Sequence, residues 1–209
     1  MLMRIQEKIK TWIGLLMDKP YLPRQLLEAK GPLLLHISDT PEEIYEYIVR
    51  LIKKLQPDYI IHTGDLVDNI KLEVLPEAVD DYSSALGKFL PQLESVEAKE
   101  IYYTLGNHDN SEVVREITEK GIVMEEGNIM VEGVSLYINH YHIDKTLAGD
   151  YYLFGHSFEP DSSTDKNQVK LNGLMGINII DLTTKQVYIL PYPFATNQFR
   201  KMEKRGIGL

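Results

Sequence analysis

Three short apolar runs, LLLHI at 33–37, YIIHT at 59–63 and IYYTL at 101–105, each lead straight into a polar cluster: SD at 38–39, GDLVD at 64–68 and GNHD at 106–109. The runs are rich in β-branched and aromatic residues that fit a pleated surface, so they predict strands near 33–38, 58–63 and 100–105. Between the first two, Ile44, Ile48, Leu51, Ile52 and Leu55 recur at helical spacing and predict a helix from 41 to about 55. A second helix is predicted over 111–120, and the long segment containing Pro76 and Pro91 is given no regular element. This β-α-β rhythm implies a parallel sheet. In such sheets ligands sit outside the carboxyl ends of the strands, so the three polar clusters should meet in one crevice.

Past Gly121 the texture changes to short strand candidates with turn signals, IVMEEGN, IMVEGVSLYINH, DYYLFGH, GLMGINIID and KQVYILPYP. The expected fold is therefore α/β with two sheets facing each other, not a doubly wound single sheet. Ile5, Ile9, Trp12, Ile13 and Leu16 fall on one helical stripe with Lys8 and Lys10 off it, so residues 1–31 read as an amphipathic helix and linker. That stripe would pack on its own domain or on a sister subunit, which makes a homo-oligomer a candidate assembly. Residues 32–193 form the main domain. The tail, 194–209, carries Arg200, Lys201, Lys204 and Arg205 and reads as a solvated end with one helical turn. No stretch approaches ~18 consecutive apolar residues and the N-terminus has no signal-peptide core, so a cytoplasmic protein is expected.

Cysteine is absent, which excludes disulfides and thiolate ligands and leaves oxygen and imidazole chemistry for any metal. The net charge of −9 argues against a surface that neutralises nucleic-acid phosphates. Asp39, Asp65, Asp68, Asn107, His108 and Asp109 would together place hard oxygen donors and one imidazole in the crevice, where carboxylates repel one another without a cation. The second half adds His140 and His142 in INHYHID and His156 in LFGHSF, all in turn-like contexts. His36 and His62 lie inside apolar strands and read as core residues. Asp144, Asp161 and Asp165 read as solvated loop positions.

The succession Asp39, GDLVD, GNHD, His140 and GH at 155–156 resembles the calcineurin-like metallophosphoesterases over roughly residues 33 to 193. The resemblance implies a four-layered α-β-β-α sandwich of two mixed sheets. It also implies one or two divalent ions (Mn²⁺, Zn²⁺, Mg²⁺ or Fe) and hydrolysis of a small phosphomonoester or phosphodiester by a metal-bound hydroxide. Carried over by residue, it makes Asp65 the carboxylate shared by both ions, with Asn107, His140 and His156 completing one site. His108 becomes the general acid, Asp109 the group that orients its ring, and Asp68 a supporting partner behind the ligands. Asp39 is the ligand that remains at the other site.

The sequence departs from the family pattern twice. Where the pattern DxH has histidine this chain has Pro41, and where GHxH has its second histidine it has Phe158. Both losses belong to the same metal site. Thr40, Pro41 and Glu43 instead read as a helix start, with threonine as N-cap, proline at the first helical position and glutamate closing a capping box. His142 is a candidate replacement ligand, two residues beyond His140 on an extended strand. The alternative to hydrolysis is an impaired or inactive family member that binds a ligand or serves as a scaffold. The segments 69–98 and 143–170, which would set the substrate, carry no motif.

Overall fold

The computed structural model describes residues 2–144, 149–164 and 168–201. Asp165, Lys204 and Arg205, and the side chain of Ile5, lie outside the described residues. Helix α1 (Leu2–Leu16) and the short α2 (Arg24–Leu27) lead into β1 (Leu33–Ile37), α3 (Tyr45–Leu55), β2 (Tyr59–His62), α4 (Val79–Leu93), β3 (Glu100–Thr104), α5 (Ser111–Ile117) and β4 (Gly121–Met124). The second half runs β5 (Glu126–Val131), β6 (Val134–Asn139), β7 (Tyr151–Phe154), β8 (Ser163–Thr164), β9 (Val169–Asn172), β10 (Ile177–Asp181), β11 (Val187–Leu190) and α6 (Thr196–Phe199).

Two mixed sheets result, ordered β11-β10-β1-β2-β3-β4 and β5-β6-β7-β9-β8. In the first, β1 to β4 are parallel and β10 returns antiparallel beside β1. Side-chain alternation assigns its two faces. Leu35, Ile37, Ile60, Ile101 and Tyr103 join Ile48, Ile52, Leu86 and Phe89 of the helices in one core, whereas Leu34, Ile61, Tyr102 and Ile180 join Leu136, Ile138 and Leu153 of the second sheet in another. Tyr137, Tyr152 and Phe154, on the opposite face of the second sheet, cluster with Ile143.

Register positions the loops. Ile37 is paired with His62 and His62 with Tyr103, so β1, β2 and β3 end level with one another. In the second sheet Ile138 is paired with Leu153 on parallel strands, so His140 and His156 leave the same edge. Five strand ends thus open on one crevice, as the polar clusters predict.

Four expectations need correction. The segment with Pro76 and Pro91 contains α4, whose Tyr82, Ala85, Leu86, Phe89, Leu90 and Leu93 form a fully helical stripe; Pro76 sits in the 3₁₀ turn (Pro76–Ala78) ahead of it and Pro91 in its last turn. The helix start at Thr40 is not formed: Pro41 is extended (φ −74°, ψ 152°), a 3₁₀ turn covers Glu42–Ile44, and no side chain caps it. Thr40 is drawn inward instead, its hydroxyl donating to the Leu66 carbonyl (3.1 Å) and accepting from His62 Nε2 (2.8 Å). The helix predicted over 111–120 stops at Ile117, because the buried Glu94 carboxylate accepts from the Glu119 and Lys120 amides (2.9 and 3.0 Å). Finally, the described part of the tail, residues 194–201, forms the expected helical turn and is largely exposed, but one of its charges is not solvated. Arg200 is 0% exposed, and its guanidinium donates to the carbonyls of Asp39 (2.7 Å), Leu174 (2.8 Å) and Ser38 (3.3 Å).

Candidate metal centre

Glycine makes the crevice possible. Gly64 has φ +94°, and a Cβ there would lie 2.6 Å from both the Gly106 nitrogen and the His140 ring. A side chain at 64 would therefore hold the β2 loop away from the β3 loop and from β6. Three ligand candidates also sit in the left-handed region without being glycine: Asp39 (φ 52°), Asp65 (φ 54°) and His156 (φ 67°). Such strain persists only where surrounding contacts enforce it. Here they do: the Asp39 amide donates to the Gly64 carbonyl (3.0 Å) and the Thr40 amide to that of Asp65 (3.0 Å). The Asp39 carboxylate accepts from the His156 amide (3.1 Å).

Asp109 does not orient the His108 ring, as expected, but ties the loops together. Its two oxygens accept from the amides of Asp65 (2.7 Å), Leu66 (2.8 Å) and Gly106 (2.8 Å) and from the Tyr82 hydroxyl (2.8 Å). Burial and the Asp65 charge raise its pKa to about 6 against the pull of these donors.

Around Asp65 the donor atoms converge. His140 Nδ1 donates to the Thr63 carbonyl (2.7 Å), which leaves Nε2 as the atom facing the Asp65 carboxylate at 3.5 Å and His156 Nδ1 at 3.2 Å. A backbone bond that fixes the tautomer in this way is the arrangement found behind metal-bound imidazoles. Two ring nitrogens and a carboxylate oxygen this close need a cation among them, and a proton serves where no other is present. Burial alone would lower the His140 pKa, but the hydrogen bond and charge of Asp65 carry it to about 10, while the same pair lowers Asp65 to about 2 against its own burial. Tyr141 packs edge-on against both imidazoles, with ring centroids 4.9 and 4.7 Å away.

Asn107 follows Gly106 in the neighbouring β3 loop. Its amide nitrogen donates to Glu73, while its Oδ1 is buried and has no hydrogen-bond partner among the described residues. A buried carbonyl left without a partner is costly, and coordination to an ion would satisfy it. The donor set of one carboxylate, two imidazoles and one amide carbonyl suits a first-row divalent ion. Asp65, His140 and His156 offer ligand atoms all within 4.8 Å of one another. The same holds for Asp65, Asp68 and His108.

The remaining candidates fall elsewhere. Asp39 lies in neither converging group, its carboxylate being engaged by the His156 amide. His142 is no replacement ligand: its ring stacks on Tyr152 (5.7 Å) and packs against Phe154 (5.0 Å) in the aromatic cluster. His36 and His62 are core residues, both 0% exposed and held neutral by burial, with pKa values lowered to about 3. Phe158 lines a groove of about 490 Å³ together with Leu174, Met175, Tyr192 and Phe194. Sequence reasoning missed the roles of Glu73, Lys71, Tyr82 and Arg200, which reach the site from outside the motifs, and that of Tyr141. Only Tyr141, between the two expected histidines of INHYHID, stood inside a motif that could have drawn notice.

Residues 32–187 match the family described as calcineurin-like phosphoesterase. Among solved structures, a novel archaeal phosphodiesterase is similar at 19% identity over 76% of this chain and 99% of that one, with a TM-score of 0.54. The phosphoesterase Yfce from E. coli is similar at 14% identity over 77% and 99%, with a TM-score of 0.51. No curated protein matches. At these identities the likeness of the two structures speaks for the fold.

Proposed function

The chain belongs to the calcineurin-like phosphoesterase family, and from that premise we propose that it hydrolyses a small phosphoester with a divalent ion held by Asp65, Asn107, His140 and His156. The observation that carries this reading is the convergence of the Asp65 carboxylate with ring nitrogens of His140 and His156, all within 4.8 Å of one another and already in need of a cation; the buried Asn107 Oδ1, without a hydrogen-bond partner among the described residues, supports it. The ion, when bound, would lower the pKa of a coordinated water and offset phosphoryl charge. Mn²⁺ fits this oxygen and nitrogen set, as do Zn²⁺, Mg²⁺ and Fe.

The protein's own groups take the remaining tasks. His108 is half-buried, and burial lowers its pKa against the pull of the Asp65 charge, so the protonated ring gives up its proton more readily than a free imidazolium does. Its amide donates to Asp65 (3.0 Å), which fixes it beside the ligand set. We assign it proton delivery to the leaving group. Asp109 keeps the β2 and β3 loops in register and so sets the distance between His108 and Asp65.

His108→Ala is expected to lower turnover by about 10²- to 10⁴-fold with the ion retained, measured as nitrophenol release from mono- and bis(nitrophenyl) phosphate alongside elemental analysis. Unchanged turnover would remove the role given to His108. A second reading, a binding protein that hydrolyses nothing, is favoured by Pro41 and Phe158 at two ligand positions of the family. An ion-loaded sample inactive on both phosphoester types would establish it.

A further inference from the structure

We propose that Asp65, Asp68 and His108 form a second cation site, different in its ligands from the one the family pattern describes, and that its occupant is a hard divalent ion such as Mn²⁺. The family's other position would use Asp39, Asp65 and residues 41 and 158. In this chain 41 and 158 are proline and phenylalanine, and one oxygen of Asp39 accepts from the His156 amide, which leaves that position with two protein carboxylates and no imidazole. On the Asp68 side the ligand atoms of three residues lie within 4.8 Å of one another. Bonds of about 2.1–2.2 Å place opposite ligands roughly 4.3 Å apart, so a small contraction closes the site.

Asp68 is the observation that points to a ligand. It is 1% exposed, and its Oδ2 has no hydrogen-bond partner among the described residues. Its Oδ1 is held by the Lys71 ammonium, which is partly exposed. An ionised carboxylate is not buried without compensation, and Asp39 and Asp65 add two further carboxylates, each 2% exposed, whose charges act on it. Lys71 therefore supplies one of the positive charges the cluster needs, and a divalent ion on Oδ2 would compete with it. Filling the site takes a ring nitrogen of His108 away from proton delivery, so excess Mn²⁺ is expected to inhibit hydrolysis. That consequence rests on the role given to His108 above.

The test is calorimetric titration of the full chain with Mn²⁺, comparing the parent with Asp68→Asn and Lys71→Met. The parent is expected to bind two ions with unequal affinity. Asp68→Asn should keep the tighter step and weaken the other at least tenfold. Lys71→Met should strengthen the weaker step several-fold, because the competing ammonium is gone, and it decides the matter alone if Asp68→Asn fails to fold by circular dichroism. A parent that binds one ion, or a weaker step that neither variant moves, would overturn the second site and leave the proposed function standing. A parent that binds none would overturn both. Hydrolysis that keeps rising as the weaker step fills would remove the inhibitory consequence.

Discussion

Asp109 shows how far a residue's role depends on what its oxygens touch. With three amides and a tyrosine hydroxyl on one carboxylate, Asp109→Asn replaces an acceptor by a donor facing N–H groups. The expected loss is about 2–3 kcal/mol of stability by urea unfolding, together with weakened metal binding; a variant as stable as the parent would show the clamp to be dispensable. Asp68 yields a pH prediction. Burial and the charges of Asp39 and Asp65 raise its pKa to about 8, so it is protonated in the folded chain across a range where the unfolded chain has already ionised. Each rise in pH from about 4 to 8 therefore favours unfolding through this group. In chelator, Asp68→Asn should gain stability relative to the parent over that window; a difference independent of pH would contradict the assignment. That Asp65, Asn107, His140 and His156 stand at strand ends was legible in the sequence, and their proposed grouping around one ion came from the family resemblance. Glu73, Lys71 and Tyr82 were not legible, since a side chain that acts from a neighbouring loop or helix face leaves no local pattern.

At the scale of elements, the C-terminal segment is part of the centre. Arg200 lies over the Tyr192 ring (4.5 Å to the centroid), and its guanidinium holds the carbonyls of Ser38 and the strained Asp39. Arg200→Ala would leave three buried carbonyls without these donors, and a loss of about 3 kcal/mol or more is expected in thermal or urea unfolding. A loss under about 0.5 kcal/mol, the range of an ordinary surface substitution, would return the segment to the solvated tail its charges suggest. Arg200 and Lys201 look alike in sequence; burial distinguishes the first, and only tertiary contact decides burial. Helix α1 is the reverse case. Its stripe was legible, yet Ile9, Trp12, Ile13 and Leu16 are 49–74% exposed, with Trp12 touching Phe194 (5.3 Å). Among the described residues, the chain's own domain leaves most of that face uncovered. Helix α4 was hidden in the sequence by two prolines: Pro76 lies ahead of it, where no helical N–H is lost, and Pro91 in its last turn, where one helical hydrogen bond is given up.

At the scale of the whole molecule, the strands of the first sheet and a crevice at their ends were readable from the apolar runs and the polar clusters that close them, whereas the register that makes β1, β2 and β3 end level shows only in the structure. The facing of the two sheets could be anticipated from the hairpin-rich second half, whereas the register that brings His140 and His156 onto Asp65 could not. That register depends on parallel pairing of β6 with β7 across an intervening loop. Among the described residues no helix is long and apolar enough to cross a membrane. The molecule is thus a scaffold that holds five strand ends around one carboxylate, and its central claim concerns what that carboxylate shares with its neighbours. The most direct measurement is an anomalous difference map from crystals grown with Mn²⁺, recorded at the manganese edge. A peak within coordination distance of Asp65, Asn107 Oδ1, His140 Nε2 and His156 Nδ1 is the expected result; full occupancy elsewhere, or no peak among these four atoms, would contradict it.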